Sequence, residues 1–423
     1  MILLFLSLVG LFLIGAPVFV AIAGASIIYL TVNGIPPLIA IQKMVSGVDS
    51  FPLLAVPFFI LAGNLMNAGA ITERLFEFVH RLVGHWRGGL GHVNVLGSVI
   101  FSGMSGTAIA DAGGLGNVEI RAMKQRGYDA DFAVGLTAAS STMGPVIPPS
   151  LPMVVYGFAA NVSVGQLFVA GIIPGLLMAA ALHIQVSWIA RRRGYPVEPR
   201  VPWAERVRAL WGSLPALIMP AIILGGITLG IATPTEAAAI AAVYALAIGL
   251  FVYRSLDAKM LWRVLRDTFE TTGTVMLMVG ASALFGWVLV RENAAQEFSQ
   301  AMVGMIGEPW QALIVLNLIL LVAGMFLETI AIILIAVPIF MPVLTQFGID
   351  PVQFGVVMVI NLMIGLMTPP VGLLLFVLSK IGGLDYWGTF RACLPFLLPI
   401  FVVLIIVTYV PAVTLTLPRL FFH

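Results

Sequence analysis

Apolar runs follow one another from residue 2 to residue 414, separated only by short polar stretches. A helix needs about 20 apolar residues to cross a bilayer. Nine runs suit that role: 2 to 32, 51 to 69, 131 to 161, 165 to 190, 213 to 231, 236 to 254, 271 to 290, 352 to 380 and 388 to 414. The first has no Lys or Arg at its start and outruns the apolar core of a signal peptide, so it reads as a crossing, although Ala21-Ile22-Ala23 resembles a cleavage site. Two more stretches, 90 to 120 and 312 to 344, are interrupted near their middles and have polar segments on both sides. They read as re-entrant hairpins that enter from one face, turn inside the membrane and leave by the same face.

The basic residues order this scheme. Arg74, Arg81, Arg87, Arg121, Lys124 and Arg126 flank the first hairpin; Arg191, Arg192, Arg193, Arg200, Arg206 and Arg208 form a second basic loop; Arg254, Lys259, Arg263 and Arg266 form a third. By the excess of Lys and Arg in cytoplasmic loops, all three are expected inside. The crossings between them then pair off, the N-terminus lies inside, and the second hairpin opens outward with the C-terminus at His423. Amphipathic stretches near 72 to 87 and 256 to 267 fit either interfacial helices or solvated loops.

Composition sharpens the class. Of 423 residues, 60% are apolar and 9% charged, with a mean hydropathy of +1.07. Soluble domains carry about 25% charged residues, so this chain cannot coat a water-facing surface. A formal charge of +2 gives no basic face for nucleic acid, and Cys393 as the single cysteine forbids an internal disulfide or thiolate metal cluster.

The sequence repeats itself at an offset of 221 residues. Gly103-Met104 meets Gly324-Met325, Gly127 and Asp129 meet Gly348 and Asp350, Gly144 meets Gly365, Pro148-Pro149 meets Pro369-Pro370, and Pro174 meets Pro395. Five crossings separate the start of one unit from the start of the next, and an odd number inverts the second unit. A pseudo-two-fold axis in the membrane plane is the plan of many secondary transporters.

Two crossings must break. Three Pro and a Gly fall within Gly144-Pro145-Val146-Ile147-Pro148-Pro149, and the repeat places Gly365 to Pro370 likewise in the later crossing. Pro removes a backbone donor and clashes with the preceding turn. The expected half-helices are 131 to 143 and 151 to 161. Carbonyls freed at the end of one half-helix suit a bare cation, and amides at the start of the next suit a carboxylate. Packing of a plain Pro kink against Ser and Thr is the alternative. Each hairpin turn, Ser102 to Thr107 or Gly324 to Thr329, is expected to face the break of its own half, although Gly103 and Gly106 also suit close helix packing. Intramembrane Asp111 and Glu328 are candidates for function, Asp111 with local capping as its alternative; His183 reads rather as a packing residue.

Ser105-Gly106-Thr107 through Ala110-Asp111-Ala112, then Ala138 to Ser141, Gly144-Pro145 to Pro148-Pro149-Ser150 and Thr368-Pro369-Pro370-Val371-Gly372, resembles the large membrane subunit of tripartite ATP-independent periplasmic (TRAP) transporters. The resemblance implies an all-α polytopic, elevator-type ion transporter fold. Its transport domain would comprise 90 to 161 and 312 to 380, and its scaffold 1 to 89, 162 to 311 and 381 to 423. It also implies sodium-driven uptake of an organic anion, a C4-dicarboxylate or sugar acid, in the bacterial inner membrane. The implied partners are a periplasmic binding protein and a small membrane subunit on a separate chain. No cofactor beyond the coupling ion and no catalytic residue is expected. One sodium is expected among Ser102, Gly103, Ser105, Ser140, Ser141, Thr142 and Gly144, another among Gly324, Glu328, Asn361, Gly365, Met367 and Thr368. The substrate is expected between them, near Ser105, Thr107, Asp111, Pro148, Ser150, Thr329 and Thr368. The stretch Gly116 to Lys124 departs from the apolar, Pro-containing form typical of many members.

Rival readings are a symporter acting alone, a passive channel, and an intramembrane serine protease with Ser105 as nucleophile and His183 as base.

Overall fold

The computed structural model describes residues 2 to 68 and 71 to 422, and the described residues form helices and connections without a strand. The run at 2 to 32, expected as one crossing, is instead two helices, α1 (Ile2–Leu13) and α2 (Val18–Val32). Gly15 turns the chain at φ +80°, and α2 folds back until a Cβ on Gly24 would lie 3.1 Å from Leu11. Next come α3 (Leu38–Val48) and α4 (Ala55–Asn67), bent by 64° across a short turn that holds Pro52.

α5 (Ile71–Val83) leads into the first hairpin, which is α6 (Gly89–Ser105), then α7 (Ala108–Gly113) and α8 (Leu115–Gln125), its return arm kinked at Gly114. The first broken crossing is α9 (Ala130–Ser141) and α10 (Leu151–Ala160). α11 (Val164–Arg193), α12 (Trp203–Thr228) and α13 (Pro234–Ala247) follow. The amphipathic stretch at 256 to 267 and the crossing at 271 to 290 are one helix, α14 (Ala258–Arg291). α15 (Ala294–Met305) precedes the second hairpin, α16 (Pro309–Phe326) and α17 (Thr329–Gln346). α18 (Pro351–Leu366) and α19 (Leu373–Gly382) form the second broken crossing, and α20 (Tyr386–Tyr409) and α21 (Pro411–Phe421) end the described chain. Among the described residues seven helices are long and apolar enough to cross a membrane, and the bent α3–α4 pair makes an eighth if counted as one span. Each arm of the second hairpin is 18 residues, about 27 Å at 1.5 Å per residue, so each is itself long enough to span.

The repeat carries through to the elements. Adding 221 to the bounds of α5, α6, α9 and α10 gives 292–304, 310–326, 351–362 and 372–381; α15, α16, α18 and α19 occupy 294–305, 309–326, 351–366 and 373–382. The half-helices also interlock in the crossed pattern that a two-fold produces. A Cβ on Gly382 of α19 would lie 2.1 Å from Val134 of α9, and one on Gly355 of α18 would lie 2.5 Å from Tyr156 of α10. The Tyr156 hydroxyl donates to the Pro351 carbonyl at 2.7 Å. These approaches pack the half-helices of one repeat against those of the other in the core. At one end of α9, Arg193 bridges Asp129 at 2.9 Å and Asp131 at 2.8 Å, tying the first half-helix to α11.

Candidate functional site

Each hairpin turn meets the break of its own half. In the first half the Leu151 amide donates to the Gly106 carbonyl at 3.4 Å, and a Cβ on Gly144 would lie 3.4 Å from the Thr107 carbonyl. Gly106 is the residue that makes the turn, at φ +63°. In the second half the amides of Val371 and Gly372 donate to the Met325 carbonyl at 3.1 and 3.3 Å. A Cβ on Gly365 would lie 2.6 Å from the Cα of Gly324, so the two backbones touch with no side chain between. The X-Pro bonds Pro148-Pro149 and Pro369-Pro370 are both cis.

The residues expected to hold cations sit in these two zones. Ser102, Ser140, Ser141, Thr142 and Asn361 are buried, and every hydroxyl has already given its proton away. Ser102 donates to the Ser98 carbonyl at 2.5 Å, Ser141 to that of Thr137 at 2.7 Å, Thr142 to that of Ala139 at 2.6 Å and Thr368 to that of Ile364 at 2.8 Å. Ser140 donates to Asn94 Oδ1 at 2.7 Å. Only lone pairs are left to face a ligand, which suits a cation and not an anion. Asn361 donates to Asn317 Oδ1 at 2.6 Å, and its own Oδ1 is buried without a partner. The side chain of Ser105 lies outside the described part, as does His423.

Thr107 and Glu328 occupy equivalent positions in the repeat and do equivalent work. Thr107 Oγ1 accepts from the Ala110 amide at 3.3 Å and caps α7; Glu328 accepts from the amides of Ile330 at 2.9 Å and Ala331 at 3.4 Å and caps α17. Both also line a cavity of about 530 Å³ between the two turns and the pair α4 and α14, where Asn64, Asn67, Glu270 and Thr274 stand opposite them. The cavity shares Asn64 and Asn67 with an adjoining vestibule beside Arg263 and Asp267.

Of the residues expected near substrate, Thr107 lines this cavity. Asp111 and Ser150 are buried and do not: Ser150 caps α10 by accepting from the Met153 amide at 3.2 Å and itself donates to the Pro145 carbonyl. Pro148, Thr329 and Thr368 are also outside the lining, which takes Pro149 and Ile330 instead.

Sequence reasoning missed the polar groups on α4 and α14 and a buried network behind the first turn. Asn94 donates to Glu119 at 2.5 Å and to Thr137 at 2.8 Å while accepting from Ser140. Glu119 and Asp111 are each 1% exposed, and three of their four oxygens have no hydrogen-bond partner. Asn94 and Thr137, each within an apolar helix, were the available signal, whereas Glu119 sits on the mixed helix α8. His183 pairs with His92 at 2.8 Å. His92 stands thirteen residues before Ser105 on α6, about 20 Å along the axis, so His183 is not the base of a Ser105 nucleophile.

A helical membrane chain with two apposed turns and breaks around a cavity is a carrier, and the comparisons place it in one family. The profile described as "Tripartite ATP-independent periplasmic transporter, DctM component" matches residues 5–413, so the chain belongs to that family, a multi-pass membrane transporter rather than an enzyme. It is 46% identical over 415 residues to the sialic acid TRAP transporter large permease protein SiaM of Vibrio cholerae, covering 97% of each chain. To the C4-dicarboxylate TRAP transporter large permease protein DctM of Pseudomonas aeruginosa it is 43% identical, over 89% of this chain and 88% of that one. The sialic acid TRAP transporter permease protein SiaT of Haemophilus influenzae is 44% identical over 90% of this chain, which spans 62% of that protein. The YdaH transporter of Alcanivorax borkumensis shares the fold, with a TM-score of 0.61 at 14% identity over 87% of this chain and 86% of that one.

Proposed function

We propose that this chain is the sodium-driven carrier of a tripartite system that takes up an organic anion across the bacterial inner membrane. The observation that carries the reading is the cavity where the two turns meet α4 and α14. One sodium sits between the Ser102 to Thr107 turn and the Ser140 to Gly144 segment, the other between the Gly324 to Thr329 turn and the Asn361 to Thr368 segment. Hydroxyls with committed protons and the unpartnered Asn361 oxygen favour cations there. The substrate carboxylate draws on these charges and on half-helix amides, because no described residue lining the cavity is Lys, Arg or His.

Each turn packs against the break of its own half and the half-helices of the two repeats pack together, which supports turns at mid-depth and re-entrant hairpins although each arm of the second is long enough to span. The hairpins and broken helices, 90 to 161 and 312 to 380, move as a unit against the remaining scaffold. A periplasmic binding protein delivers substrate, and a small membrane subunit, a separate chain in this reading, completes the system.

In proteoliposomes, organic-acid uptake is expected to require the small subunit, the binding protein and an inward sodium gradient. Robust uptake by this chain alone would replace the reading with a stand-alone symporter. Ser141→Ala and Thr368→Val delete one oxygen each with little change of shape, so both are expected to raise the sodium concentration for half-maximal uptake several-fold. Unchanged sodium dependence in both would move the ion sites elsewhere.

A further inference from the structure

A second cavity lies apart from the carrier site, on the face that holds the basic loops. About 280 Å³ opens between α5 and α12, lined by Arg74, Glu77 and Arg81 from the first and by Arg208, Gly212 and Ser213 from the second. Three elements meet here where each changes from apolar to polar. α12 passes from its charged first turns into the apolar run 213 to 231, Tyr253 stands at the end of the apolar run 236 to 254, and amphipathic α5 lies alongside. Trp203 and Trp211, on the same stretch of α12, are 74% and 68% exposed. Exposed Trp at such a change marks the level of the lipid headgroups.

The walls are tied to one another. The Ser213 hydroxyl donates to the Arg74 carbonyl at 3.1 Å, and the Tyr253 hydroxyl donates to the Gly212 carbonyl at 3.1 Å. The Arg74 guanidinium lies over the Tyr253 ring, 4.9 Å from its centre, a stack that fixes its plane and leaves its N–H edge unspent. Charge in the cavity is unbalanced. Arg81 takes Glu77 at 2.5 Å and Glu205 at 3.4 Å, whereas Arg74 and Arg208 join no ion pair among the described residues. Arg206, two residues earlier on α12, has a buried Nε without a hydrogen-bond partner and adds to the positive field.

We propose that this cavity holds the phosphodiester of an acidic phospholipid, with Arg74 and Arg208 as its ligands and the acyl chains along the apolar part of α12. The edge of a guanidinium matches two phosphate oxygens at once, and basic pockets between membrane helices suit acidic headgroups. A phosphatidylethanolamine headgroup brings an ammonium among three guanidiniums, and Glu77, the carboxylate in the described lining, is already taken by Arg81. A phosphatidylglycerol headgroup brings no such charge. Because α5 leads into α6, the lipid braces the arm from which the first hairpin starts.

The test is thermal unfolding of the purified chain with its small subunit in detergent, titrated with dioleoylphosphatidylglycerol, dioleoylphosphatidylethanolamine or inorganic phosphate at constant ionic strength. The acidic lipid is expected to stabilise at a concentration at least fivefold below the zwitterionic one, and phosphate not at all. Arg74→Gln with Arg208→Gln is expected to abolish that preference. Arg191→Gln with Arg200→Gln removes the same charge from the same face outside the cavity and is expected to leave it unchanged. Equal response to the two lipids, or stabilisation by phosphate matching that by the acidic lipid, would overturn the proposal. Equal loss in the two double variants would overturn it as well, by reducing the effect to general attraction between a basic face and acidic lipid. No response to any probe, as when the small subunit covers the cavity, also overturns it. If the double variant in the cavity does not fold, exposed Arg208→Gln alone is expected to cut the preference at least twofold, and an unchanged preference counts against the proposal. None of these outcomes bears on the sodium sites or the transported anion.

Discussion

Gly365→Ala is expected to lower sodium-driven uptake at least tenfold while the protein still reaches the membrane. A Cβ there would lie 2.6 Å from the Cα of Gly324 and 2.9 Å from its carbonyl oxygen, both backbone atoms that cannot rotate away. Overpacking of this kind typically costs about 1 to 3 kcal/mol, and about 1.4 kcal/mol falling on the ion site is a factor of ten. The reverse change is milder, because a Cβ on Gly324 would stand 3.2 Å from the Cα of Gly365. Initial uptake rates for Gly365→Ala and Gly324→Ala, normalised to the amount of folded protein, check both the size and the order. Wild-type uptake and sodium dependence in Gly365→Ala would show that the turn and the break need not touch.

The second large effect is expected from Asn94→Leu. One side chain serves Glu119, Thr137 and Ser140 at distances between 2.5 and 2.8 Å, all buried. Leaving a buried polar partner unsatisfied costs about 1 to 3 kcal/mol, so stranding Glu119 and Thr137, while Ser140 falls back on the Thr137 carbonyl at 3.2 Å, is expected to destabilise by about 2 to 5 kcal/mol. Glu119→Gln in the same background replaces the stranded carboxyl with an amide and is expected to recover part of the loss. Thermal unfolding of the two variants decides it; additive destabilisation in the double variant would mean the network is not coupled.

The breaks and turns were legible because Pro and Gly act locally. The half-helices expected at 131 to 143 and 151 to 161 are found at 130 to 141 and 151 to 160, and the 221-residue offset aligns whole elements as well as single residues. The first run was misread because apolar character alone cannot distinguish a straight crossing from a tight helical pair; Gly15 and Pro17 held the information. The amphipathic stretch at 256 to 267 looked separate from the next crossing only because its surface changes from polar to apolar, and hydropathy carries no record of axial continuity. Thr107 stood out beside a turn, whereas Asn64, Asn67, Glu270 and Thr274 line the same cavity from the middle of long helices, where no local punctuation marks them. Asn94 escaped for the same reason.

Duplication would make the two halves mechanically equal, and one segment prevents it. Adding 221 to Pro52 gives Gly273: the first copy, α3 and α4, is bent by 64° between Val48 and Phe51, just ahead of the proline, and the second copy runs straight through the glycine as the 34 residues of α14. A continuous helix of that length is a rod of about 51 Å. A push on its outer end at Ala258 therefore reaches Glu270 and Thr274 undiminished, while a push on α3 is absorbed at the joint before α4. One face of the molecule is thus stiffly geared to the cavity and the other is slack, so a partner gripping the Ala258 end would have a lever on the carrier that a partner gripping α3 would lack.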